Sequence, residues 1–192
     1  MEIVSQIKAC RLCADRFAAT ETRHRPNPIL QGTPSARLLI ASQAPGMRAH
    51  QSSTPFLDPS GDRLRDWLGL DEVAFYDADK VAIVPMAFCF PGYRKGADLP
   101  PPPICARTWR AQALAAFPNI ALTLMIGGYA QKWHLGVKTG VTDTVAGWRT
   151  HFPRLIPLPH PSWRNTAWLK RNPWFEEALL PVLRARVAEV LT

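Results

Sequence analysis

RLLIASQAPGMRAHQSSTPFLDPSGDRL, residues 37–64, places a strand, a break and a helix start in one segment. Arg37 to Ala41 is a short apolar run of strand length, and Ser42-Gln43-Ala44-Pro45-Gly46 ends it, because Pro and Gly cannot continue a ladder. A polar loop follows, then Thr54-Pro55-Phe56, then Pro59-Ser60-Gly61 leading into helical periodicity. A buried strand that stops at such a turn puts the turn at the carboxyl edge of a parallel sheet, the usual ligand crevice of open α/β folds. Phe56 lies across the loop, where it could fold back over whatever binds. Pattern alone leaves an ordinary βα loop equally open.

Outward from this segment, strands and helices alternate. Further apolar strands are expected at Val81–Val84, Ala121–Ile126 and Leu155–Leu158. Helices are expected from Glu2 to Ala9, Ser60 to about Leu70, Ile104 to Phe117, Gly127 to about His134 and Pro173 to Leu191. Thr20 to Ser35 reads as a surface connection, and Gly136 to Arg149 as a polar excursion, a hairpin being one form of it. Phe90 to Pro103, FPGYRKGADLPPPP, is too rich in Pro and Gly for regular structure. Alternation of this kind implies a mainly parallel sheet covered on both faces, in one domain over residues 1–192.

The 192 residues are 47% hydrophobic, which argues against disorder, and no apolar run reaches the roughly 18 residues a bilayer demands. The first ten residues lack the pattern of a signal peptide, so a cytoplasmic location without membrane attachment is expected. Lys and Arg number 23 against 15 acids, a net charge of +8 that suits a polyanion such as nucleic acid. The four cysteines fall as Cys10-x2-Cys13 and as Cys89 and Cys105, with fifteen residues between them. In a cytoplasmic chain disulfides are disfavoured, which leaves free thiols or a metal site, either zinc or an iron–sulfur cluster.

The segment 43–61 resembles the first motif of the uracil-DNA glycosylase superfamily, in its iron–sulfur branch called family 4. That pattern runs Gly-Glu-Ala-Pro-Gly, eight residues, Pro-Phe, four residues, Gly; here Ala44, Pro45, Gly46, Pro55, Phe56 and Gly61 keep the offsets. His160-Pro161-Ser162 resembles the family's late His-Pro-Ser motif, and both cysteine spacings recur in it. The resemblance implies a three-layer α/β/α sandwich with a central four-stranded sheet. It implies a structural [4Fe–4S] cluster on Cys10, Cys13, Cys89 and Cys105, with zinc as the alternative. It also implies a monomeric, monofunctional enzyme that flips uracil out of DNA and hydrolyses its N-glycosidic bond.

By the same resemblance Phe56 stacks on the flipped base, Ala44 and Pro45 line its pocket, and His160 stabilises charge on the leaving uracil. Ser162, Trp163 and Arg164 match the loop that enters the duplex. Tyr93, Arg94, Lys95, Lys170 and Arg171 are looser candidates for phosphate contact. Two positions depart from the pattern. Gln43 stands where the family has a Glu that handles the water, and an amide can hold water but not take its proton. Asp58 or His50 could compensate. Pro85 stands where the family has an Asn that reads the uracil edge, so backbone groups around Met86 and Ala87 replace it or the enzyme accepts other deaminated bases. Those departures keep two further readings open: a non-catalytic binder of uracil-containing or abasic DNA, and an iron–sulfur protein with another nucleic-acid role.

Overall fold

A computed structural model describes residues 2–192. The chain begins with α1 (Glu2–Lys8) and α2 (Ala14–Ala18), then enters β1 (Leu38–Ala41). Next come α3 (Met47–Ser52), α4 (Pro59–Leu68), α5 (Glu72–Tyr76) and β2 (Val81–Ile83). A small antiparallel hairpin, β3 (Tyr93–Arg94) and β4 (Ala97–Asp98), precedes α6 (Pro103–Ala115). The second half holds β5 (Leu122–Ile126), α7 (Gly127–Leu135), α8 (Val141–Ala146), β6 (Leu155–Leu158), α9 (Thr166–Arg171) and α10 (Leu180–Leu191).

The main sheet has the order β2-β1-β5-β6, every pair parallel. Its strands are buried on both faces, which explains why they read as unbroken apolar runs rather than alternating ones. Leu38, Ile40, Val81, Ile83, Leu122 and Leu124 pack with Leu64, Trp67 and Leu68 of α4 and Leu183 and Val187 of α10. From the other face, Leu39, Ala82 and Val84 meet Ile7 of α1, Ala113 of α6, and Phe88 and Phe117. Period-two alternation along each strand thus feeds two helical layers, the expected three-layer α/β/α arrangement. No helix among the described residues is long and apolar enough to cross a membrane.

Several expectations are corrected. The polar loop after Gly46 winds into α3, anchored by buried Ala49 and by Asn27 Nδ2 donating to the His50 carbonyl at 2.8 Å. Residues 20–35 are more than a surface connection, since Ile29 and Leu30 are buried and Gln31 bridges to Ile83. The excursion at 136–149 is α8 with a following 3-10 turn, not a hairpin; Val145 and Trp148 enter the core. Residues 90–103 do contain regular structure, the β3–β4 hairpin. The expected closing helix is present, but its first part, Phe175–Leu179, is a π-helical turn that runs into α10, with Pro181, which has no N–H, at the junction.

Candidate active site

Gln43, Ala44 and Pro45 follow β1 at the carboxyl end of the sheet, and His160 follows β6 at the same end. Together with Phe56, Asp58, Pro85, Ser162, Trp163 and Arg164 they line one cavity of about 550 Å³. That is ample for a flipped nucleotide and typical of small-ligand sites. These ten residues, named from the sequence for catalysis, base contact and duplex entry, therefore converge.

Phe56 is half-buried, set edge-on to Phe75 at 6.2 Å, and has a left-handed backbone with φ of 56°. Non-glycine residues hold that conformation only when their surroundings enforce it. Gly61 is one reason they can. A Cβ there would lie 1.7 Å from the Phe56 carbonyl oxygen, so the motif's glycine lets the Phe56 turn dock on the start of α4. Asp58 is the N-cap of α4, its Oδ1 accepting from the Ser60 and Gly61 amides at 2.8 and 3.0 Å. Its Oδ2 faces Gly46, where a Cβ would lie 4.0 Å away.

His160 accepts from the Ser162 amide at Nδ1, 3.2 Å, so the neutral ring carries its proton on Nε2. Burial pushes its pKa below the ordinary value, and the Asp58 and Asp98 carboxylates pull it partly back. Asn165 Nδ2 donates to the His160 carbonyl at 2.7 Å, and Arg63 of α4 donates to the Ser162 carbonyl at 3.0 Å. These two bonds fix the loop after β6. Beyond it Trp163 is 74% exposed at the cavity mouth, with the Arg164 guanidinium 5.8 Å from its ring centroid.

The Pro85 wall has its backbone groups committed. The Met86 and Ala87 amides donate to the Ser42 and Gln43 carbonyls at 2.8 and 3.1 Å, extending β1–β2 pairing to the cavity edge. Phe88 N donates to Cys105 Sγ, and the Val84 and Pro85 carbonyls both accept from Arg110 Nη1. Backbone N–H groups of Met86 and Ala87 thus do not replace the missing Asn. His50 is also displaced from the role considered for it. It lies outside the cavity lining, 4.9 Å from His24 and 5.9 Å from Phe90.

Three contributors escaped the sequence reading. Arg110, 1% exposed on α6, braces the wall through the Val84 and Pro85 carbonyls and faces His134 Nε2 at 2.7 Å. Burial brings the guanidinium down to about 10 and, with Arg110 beside it, His134 to about 4. Asp98, on the hairpin, lines the cavity as a second carboxylate beside Asp58. Arg48 of α3 lines it as well. No spacing flags these: Arg110 reads as a solvated helix residue, and Asp98 as one polar residue in a Pro-rich loop. Of the looser phosphate candidates, Tyr93 lines the cavity, whereas Arg94, Lys95, Lys170 and Arg171 do not.

The four cysteines line one small cavity with Ile7, Phe17, Phe88 and Trp109, and all are free. Trp109 Nε1 donates to Cys10 Sγ at 3.3 Å. Burial and neighbouring thiols push Cys89 up to about 12, and burial pushes Cys105 up to about 11. Among the described residues no three His, Cys, Asp or Glu side chains gather as closely as a single metal ion requires.

The fold is an α/β sandwich with a cavity at the carboxyl ends of its parallel strands, lined by an aromatic ring and a histidine and roomy enough for a nucleotide. The sequence profile of the Uracil DNA glycosylase superfamily matches residues 30–184. The chain belongs to that superfamily.

Proposed function

We propose that this protein is a monofunctional DNA glycosylase that hydrolyses the N-glycosidic bond of uracil in DNA and leaves an abasic site. The observation that carries the reading is the convergence of Phe56, His160 and the Gln43-Ala44-Pro45 turn on one cavity. A base entering between them stacks on Phe56 and presents a carbonyl to His160 Nε2–H, which stabilises the anion as the bond to the sugar breaks. Trp163 and Arg164 at the mouth can occupy the space the base vacates, and the net charge of +8 favours the phosphate backbone. With Pro85 in place of an edge-reading Asn and the neighbouring amides committed, selection rests on shape and on His160, so other deaminated bases are accepted too.

Family 4 is the branch we assign, with Cys10, Cys13, Cys89 and Cys105 holding a [4Fe–4S] cluster. The donor set fits: four thiols, an apolar lining, and N–H groups of Trp109 and Phe88 directed at two of the sulfurs. When bound, the cluster supplies a structural cross-link and no substrate redox chemistry. Gln43 and Pro85 favour one rival, a non-catalytic binder of damaged DNA.

One assay separates the two. The protein is incubated in excess with uracil-, hypoxanthine- and cytosine-containing oligonucleotides, and abasic sites are revealed by alkaline cleavage. Cleavage at uracil and not at cytosine is expected; tight binding without cleavage establishes the binder and ends the enzymatic reading.

A further inference from the structure

We propose that Asp98 is the catalytic carboxylate of this site, facing the sugar and taking the part that an amide at Gln43 cannot. The proposal rests on the glycosylase reading and adds a residue to it. Two carboxylates line the cavity, and they are not equivalent. Asp58 spends Oδ1 on the cap of α4. The Asp98 side chain has no hydrogen bond or ion pair to any other described residue, so both its oxygens remain for a ligand.

The hairpin fixes where Asp98 points. Tyr93 and Asp98 are directly opposed across β3 and β4, which puts both side chains on one face, and both line the cavity. Tyr93 is braced edge-on against Phe90 at 5.0 Å, and Leu99 N donates to the Gly92 carbonyl at 2.8 Å. The turn is tethered by Lys95 N, which donates to Glu21 Oε1 at 2.9 Å. Gly92, with φ of 95°, lies so close to Thr20 that a Cβ would approach its side chain to 2.7 Å. These contacts hold the hairpin, and with it the Asp98 carboxylate, in the cavity lining.

Depth decides the role. Phe56 and His160 hold the base inside, so the sugar sits nearer the mouth, where Asp98 is exposed on one side and partly dehydrated on the other. Burial raises its pKa, Arg164 and His160 lower it, and Asp58 raises it. Tyr93 is the remaining titratable group beside it. A carboxylate there stabilises positive charge on C1′ as the C1′–N bond breaks and its electron pair leaves with the base. Water then bonds to C1′ and gives its proton to Asp98, which returns it to the released uracil anion. The net change is one water consumed, one abasic sugar and one neutral uracil formed.

The test compares wild type with Asp98→Asn, a change that removes charge and, since the side chain has no partner, should leave the hairpin intact. Affinity is measured for duplexes carrying a neutral tetrahydrofuran abasic analogue or a cationic pyrrolidine analogue, alongside single-turnover uracil release. Wild type should prefer the cation by about tenfold, and Asp98→Asn should bind both analogues alike, with neutral-analogue affinity unchanged. Uracil release should fall by about 10²-fold or more. Asp98→Glu should recover part of both. Should the cation preference and rate survive in Asp98→Asn, or should wild type show no preference, Asp98 is not the catalytic carboxylate, whatever becomes of the glycosylase reading. An Asp98-dependent preference in a wild type that releases no uracil supports the charge placement and removes the glycosylase reading instead.

Discussion

His160 presents one ring nitrogen to the cavity because the other is occupied by the Ser162 amide. The tautomer is thereby set by the His-Pro-Ser sequence itself, and burial keeps the ring uncharged. A depressed pKa means that the ring gains its second proton only below the range where free imidazole titrates. Uracil release should accordingly be level between about pH 6.5 and 8, and a rise toward acid in that range would indicate an imidazolium donor. His160→Ala should slow single-turnover release by on the order of 10²-fold, the usual consequence of losing one oxyanion donor. An unchanged rate would place the leaving-group contact elsewhere.

At the scale of elements, α4 links the two motifs. Its first turn carries the Asp58 cap and Gly61 under Phe56, and Arg63 reaches across to the Ser162 carbonyl. Asparagine caps as well as aspartate, so Asp58→Asn should leave stability and uracil release nearly unchanged, within about threefold in rate. Asp58→Ala should cost about 1 kcal/mol in denaturant unfolding by removing the cap. A tenfold or larger loss in Asp58→Asn with stability intact would show that the carboxylate, not the cap, matters. The strands and α4 were legible in the sequence because their signals are local: unbroken apolar runs, and Leu64, Trp67 and Leu68 at helical spacing. The short helices α3 and α8 were not. Their polar sequences lack periodicity, and single buried anchors such as Ala49 and Val145 hold them in place. Gln43, Phe56 and His160 were found through motif spacing, whereas Asp98 enters the cavity only through pairing with Tyr93.

Across the whole molecule, the cysteine cavity and the candidate active-site cavity share one partition. Residues 85–88 form it, with Pro85 lining the active-site cavity and Ala87 and Phe88 the cysteine cavity, and Cys89 follows directly. Cys10 and Cys13 come from the segment joining α1 to α2, and Cys105 from α6, so a group bound by all four ties the N-terminal segment, the partition and α6 together. Arg110, one and a half turns past Cys105 on α6, extends that tie to the Val84 and Pro85 carbonyls. Purified protein should therefore carry about four irons per chain and absorb broadly near ~400 nm. Cys89→Ser should lose iron and colour and unfold at lower denaturant, because the three remaining thiols without a cluster leave the segments joined only by packing. It should also weaken binding to a neutral abasic analogue, since the partition is a wall of that site. Full iron content in Cys89→Ser would remove Cys89 from the ligand set, and one zinc per wild-type chain would replace the cluster with a single ion. Lost iron with DNA affinity unchanged would show that the partition stands without the cross-link.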